Sequence, residues 1–204
     1  MANKYSISGY CIIEGGKISL NGQEFFTVPE GTLFTDFAKQ AYKFTETDYP
    51  KFFKMDNLSK LSFLAADLLL KGQIADGSNN TALLFANASS SLDTDVKYND
   101  SIADRENYYP SPAVFVYTLP NICIGEISIR HKLYTENSFF IFEAFNPAFF
   151  ANYASILLDT GKAENVLCGW VEFFKDEYKA FMYLVSKENG PEHTAKNIQT
   201  IYQS

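Results

Sequence analysis

Residues 139–161 read FFIFEAFNPAFFANYASILLDTG, and this stretch decides the fold. With Ser138 its opening, SFFIF at 138–142, is aromatic and β-branched, the composition of a strand. Asn146 followed by Pro147 is a helix start: the Asn side chain accepts a first-turn N–H, and proline loses nothing at the first helical position. From Ala148 to Leu158 almost every residue is apolar, which predicts a helix buried all round, and Gly161 caps its end. Strand, tight turn and buried helix form a shape that displays catalytic nucleophiles, because a helix N-terminus stabilises negative charge. Yet the turn, Phe142-Glu143-Ala144-Phe145-Asn146, holds no Cys, Ser, Thr or His.

Outward from this turn, the pattern alternates. KYSISGYCII at 4–13 is a strand, and glycines at 15, 16, 22 and 31 punctuate the segment after it. TLFTDFAKQAYKF at 32–44 fits a short amphipathic helix. In 49–72, Asp56 or Asn57 caps a helix whose Leu58, Leu61, Leu64 and Leu68 keep helical rhythm, with Gly72 as its stop. TALLFANAS at 81–89 is a buried strand. The Ser-, Asp- and Asn-rich run 89–112 reads as a surface loop with at most one helical turn. AVFVYTL at 113–119 has strand propensity, whereas Ile122, Gly125, Glu126, Ile129 and Leu133 suggest a helix after Pro120. ENVLCGWVEFF and YKAFMYLV, joined by KDE, form a hairpin. Strands alternating with helices imply a layered α/β fold with a mixed central sheet. One domain covers 1–186, and 187–204 is a polar tail in which a helix frays.

The 204 residues suit one domain, and 47% hydrophobic with 20% charged residues excludes disorder over most of the length. A net charge of -7 removes the basic field that nucleic acid or anionic membranes need, so neither is expected as a partner. No run reaches membrane-spanning length and no leader-like segment opens the chain, which reads as a soluble cytoplasmic protein. Cys11, Cys123 and Cys168 lie far apart among Ile, Val and Leu, the setting of buried free thiols. Phosphate loops, dinucleotide fingerprints and zinc spacings are missing, so no cofactor or metal is expected. His131 falls at a helix end, where a cation is favoured, and His193 falls in the polar tail.

The order LPNICIGEISIRHKL, NSFFIFEAF, buried helix and LLDTGKAENVLCGWVEFF resembles the N-terminal half of a β-ketoacyl synthase, a thiolase-like fold. Asn121, Gly125, Gly161, Gly169 and Glu172 stand where that family places such residues, and YPKFFKMDNLSKL is similar to its early Lys-Met-Asp segment. The resemblance implies a nucleophilic Cys in the turn, at the position here held by Ala144, with Glu143, Phe145 and Asn146 as its pocket neighbours. It also implies a second, His-bearing half, which this sequence lacks. What it points to is a degenerate, non-catalytic subunit of the chain-length-factor type, a pseudoenzyme acting in fatty-acid, polyketide or polyene assembly. A ketosynthase and an acyl carrier protein are the implied partners. The family dimerises through the strand before the nucleophile, so Phe139, Phe140 and Ile141 become a candidate interface for a homo- or heterodimer. Two other readings stay open. One is an α/β enzyme that uses carboxylates near Glu143, with Glu126, Glu172, Asp93 and Asp95 as further candidates. The other is a dimeric binding or scaffold module.

Overall fold

The computed structural model describes residues 4–71, 80–106 and 108–204. Seven strands form one mixed sheet: β1 (Ser6–Glu14), β2 (Lys17–Leu20), β3 (Gln23–Thr27), β4 (Thr81–Asn87), β5 (Asn137–Ile141), β6 (Asn165–Phe174) and β7 (Glu177–Ser186). Their order across the sheet is β3-β2-β1-β7-β6-β4-β5. β4 runs parallel to both of its neighbours, β5 and β6, and the remaining pairs are antiparallel. The expected layered α/β architecture with a mixed central sheet is therefore the observed one.

Helices cover both faces, and alternate residues of each central strand enter different cores. On one face, α1 (Phe34–Phe44), α2 (Asn57–Leu70) and α5 (Ile122–His131) pack over Leu83, Phe85, Leu167, Val171 and Met182. On the other, α6 (Pro147–Asp159) and α7 (Ala195–Tyr202) pack over Ala82, Leu84, Trp170, Phe181 and Tyr183. Strands buried on both sides need apolar residues at every position, which is why β4 reads as an unbroken apolar run. α2 begins at its Asp56 cap, whose carboxylate accepts the Ser59 N–H at 2.9 Å. The expected stop at Gly72 lies outside the described residues.

Four expectations are corrected. β2 and β3 form a hairpin across Asn21-Gly22, both with positive φ (52° and 79°), where the sequence pattern showed only glycine punctuation. The polar run after β4 is a helix of 11 residues, α3 (Leu92–Ile102), followed by the short α4 (Pro112–Val116) in place of a strand. α3 is held from outside itself: Thr94 donates to the Asp56 carboxylate at 2.8 Å, and Asp93 accepts the Lys175 N–H at 3.2 Å. α6 is not buried all round. Phe150, Ala154, Leu157 and Leu158 face the sheet, while Asn152 and Ile156 are exposed, because among the described residues no second layer of chain lies over that side.

The polar C-terminal stretch is no tail, because it packs into the second core. Ser6 bridges to Glu192, the Ile7 N–H donates to Pro191 O at 2.8 Å, and the α7 side chain Ile198 is fully buried. His193, placed by its polar neighbours in solvent, is buried against Tyr183. Ile198→Ala is therefore expected to cost ~2–4 kcal/mol through lost burial and a residual cavity. Denaturant unfolding checks this; a change below ~0.5 kcal/mol would mean that α7 is a detachable tail.

Candidate functional site

The turn between β5 and α6 is built by capping and aromatic packing. The Phe142 N–H donates to Asn87 O at 3.0 Å, which carries the pairing with β4 one residue past β5. The Asn146 side chain accepts the Phe149 N–H at 3.0 Å, and Pro147 follows as the first helical residue. Phe145 is half-buried and wedged between Phe150, Trp170, Phe181 and Tyr202, the last at 4.4 Å between ring centroids.

Ala144 and Glu143 are both exposed. A carboxylate inside an apolar run would need a hydrogen-bonded partner. The turn instead leaves Glu143 in water, with no ion pair or hydrogen bond among the described residues. Phe139 packs with the first core and Phe140 with the second, so both rings serve the chain's own interior. Ile141 is half-exposed at the strand end. What β5 offers at the sheet margin is its backbone edge, since β4 is its one strand neighbour among the described residues.

The other carboxylates do not converge on the turn. Glu172 accepts the Ala88 and Ser89 N–H groups at 2.7 and 3.2 Å. Asp93 pairs with Lys97, and Asp95 accepts from the Ser91 hydroxyl. Glu126 is buried, accepts the Tyr117 hydroxyl at 3.0 Å and meets Lys51 at 2.9 Å. Burial, reinforced by the Glu126 charge, pushes the Tyr117 phenol up. Each of these carboxylates has a local structural task, which leaves no acid–base pair of the kind the carboxylate reading required among the described residues.

The three thiols are fully buried, and loss of solvation pushes each up to about 12. A thiol so raised is protonated and unreactive at neutral pH. Burial lowers the His193 imidazole to about 4. Among the described residues no three His, Cys, Asp or Glu side chains gather to hold a metal ion, and no helix is long and apolar enough to cross a membrane.

Sequence reasoning missed a charged cluster under α2. Asp67, buried in the middle of an apolar helix, meets Arg130 Nε at 3.4 Å and His131 Nε2 at 3.2 Å, and accepts the Thr47 hydroxyl at 3.1 Å. Arg130 also donates to Asp48 O at 3.1 Å and lies over the Tyr49 ring. The helix-end position of His131 was legible; its partner, far away in sequence, was not.

No protein-family model and no curated protein matches the sequence. Solved structures do match. The ishigamide ketosynthase/chain length factor superposes with a TM-score of 0.67 at 16% identity, over 90% of this chain and 62% of that one. A ketosynthase in complex with its chain length factor from Xenorhabdus doucetiae gives 0.62 at 13% identity, over 98% and 90%. A β-ketoacyl synthase from Burkholderia phymatum STM815 gives 0.57 at 12% identity, over 100% and 62%. The chain has the thiolase-like fold of the ketosynthases. It spans about three fifths of the first and third of these chains and nine tenths of the second. At such identities the likeness is one of fold.

The Asp67 cluster gives a test with a definite sign. Burial pushes its carboxyl up, but the hydrogen bond and charge of His131, the charge of Arg130 and the Thr47 hydroxyl outweigh it and hold the group below the usual carboxylate range. A carboxyl lowered on folding contributes stability above its unfolded pKa of about 3.9, and that contribution is lost as pH falls through the lower folded value. Asp67→Asn is expected to cost ~2–3 kcal/mol at pH 7 and to flatten the acid limb of Tm against pH. An unchanged acid limb would show that Asp67 does not carry it.

Proposed function

We propose that this chain is a non-catalytic, ketosynthase-like subunit. In this reading it pairs with a catalytic ketosynthase through the β5 edge and acts with an acyl carrier protein in polyketide, polyene or fatty-acid assembly. The observation that carries the reading is the β5–α6 turn: a nucleophile-displaying shape, held by Asn146 and Phe145, with Ala144 at its exposed point. A methyl group cannot form an acyl-enzyme, so condensation needs a thiolate from elsewhere. The chain's own three thiols are buried and protonated. Two solved structures that share the fold are described as a ketosynthase with a chain length factor, and one is that pair in complex.

A partner also suits the physics of the molecule. β5 ends the sheet with NSFFI, which carries no charge and no proline to discourage pairing. Beside it, the outer side of α6 presents Ile156, 59% exposed, with Phe149 and Tyr153 half-buried. An apolar helix face next to an open strand edge is the composition of an interface core.

The test is copurification of the tagged full chain from its native host, followed by reconstitution. The expected result is a stoichiometric ketosynthase, with condensation of acyl thioesters by the pair and none by this chain. Ile141→Arg places a charge at the β5 end and is expected to lower recovery of the partner by about tenfold or more, with the isolated fold intact. Condensation by the purified chain without a partner would overturn the reading. So would a chain that runs as a monomer and brings down no ketosynthase.

A further inference from the structure

A cleft of about 250 Å³ opens between the start of α2, α3 and α4, on elements other than those of the β5–α6 turn. Lys54, Asp56, Asn57, Thr94 and Lys97 supply its polar lining, and Met55, Val114 and Tyr117 its apolar wall. In the sequence, Asp56 reads as a helix cap within the Lys-Met-Asp segment.

The balance of donors and acceptors in this cleft is uneven. Each Asp56 carboxylate oxygen has a partner: one accepts the Ser59 N–H at 2.9 Å and the other the Thr94 hydroxyl at 2.8 Å. The Tyr117 hydroxyl donates its one proton to Glu126. Lys97 shares its charge with Asp93. Lys54 and Asn57, by contrast, make no hydrogen bond or ion pair among the described residues. Loss of solvation raises the Asp56 carboxyl, against its bonds to Ser59 and Thr94. The result is a pocket with unpaired cationic and amide donors on a chain whose net charge is -7. An anion finds in the cleft the unpaired Lys54 ammonium and the unpaired Asn57 amide N–H, beside an apolar wall.

We propose that this cleft binds a small organic anion, a carboxylate carrying a short apolar chain. Lys54 and Asn57 take the head, and Met55, Val114 and Tyr117 take the chain. The volume falls just below the roughly 300–1,000 Å³ of ordinary ligand pockets, which limits the ligand to a few carbon atoms beyond the head. The site is independent of the proposed subunit role and stands or falls by itself.

Hexanoate is the probe, titrated into the full chain labelled with nitrogen-15, with inorganic phosphate and hexanol as controls. The expected result is saturable amide shifts confined to residues around Lys54, Thr94 and Val114 with hexanoate, and weaker binding of both controls. Lys54→Gln removes the charge at an exposed position and is expected to weaken hexanoate by about tenfold. Val114→Trp fills the wall and is expected to abolish the shifts; the rest of the spectrum reports whether the fold is kept. Equal binding of phosphate, unaffected by Val114→Trp, would reduce the site to ordinary lysine electrostatics and overturn the proposal. Hexanol binding as well as hexanoate, or no saturable shift at all, would overturn it equally.

Discussion

The fold rests on β4, seven residues with no access to water. Both edges are taken by parallel partners and both faces by packed side chains. Such a strand tolerates no slip, because a shift by one residue would exchange the sides sent to the two cores. Leu83 and Phe85 go one way, and Ala82, Leu84 and Ala86 the other. The register with β6 is fixed further by a small-to-large fit. Phe85 pairs with Gly169, where a Cβ would lie 3.1 Å from its ring. At the end of β4, Asn87 closes the strand by bonding both ways with the backbone of Ser90, at 2.9 Å each. That turn leads the chain out to α3 and to the cleft.

The two sides of this sheet are covered unequally. α1, α2 and α5 make a thick layer on the first face, with 11 of the 14 residues of α2 buried. The second face has α6 and the short α7. α7 is pinned by its leader as much as by its own contacts. Gly190 passes so close to β1 that a Cβ there would sit 2.1 Å from the Ile7 carbonyl oxygen. A leader that admits no side chain is a shaped connection, and it lets residues after β7 finish a core that α6 leaves incomplete.

Periodicity made much of this legible. β1 and β4 to β7 are readable as apolar runs, and α2, α5 and α6 from rhythm, caps and breakers. What escapes are elements whose stability comes from elsewhere. α3 is rich in Ser, Asp and Asn, residues that compete with their own helix, and it holds because Asp56 and Lys175 engage it. The β2–β3 hairpin is mostly exposed, so its alternation is faint, and its Asn-Gly turn is one glycine among several. α1 is readable from its amphipathic pattern over 32–44, but its cap is not, because it begins at Leu33 with no side-chain cap of its own. Asp176, from the β6–β7 turn, accepts the Phe34 N–H at 3.1 Å instead. No local pattern encodes a cap supplied from 142 residues away. The expectation for α6 fails for the opposite reason: a helix apolar on every side does not reveal which side lacks a neighbour.

At the β5–α6 turn, scaffold and chemistry separate. Asn146 satisfies the helix start, Pro147 sets its angle, and Phe145 anchors it among four rings, none of which asks anything of residue 144. Residue 144 is exposed and has no structural duty there, so the turn keeps its shape whichever residue stands at that position. The sheet edges carry a clearer one. β3, at one margin, carries charge, with Glu24 paired to Lys17, and has a register shift against β2, devices that discourage strand addition. β5, at the other margin, has none of them. One sheet thus guards the edge far from the turn and leaves open the edge beside it. That asymmetry between the two edges is what the proposed pairing through β5 rests on.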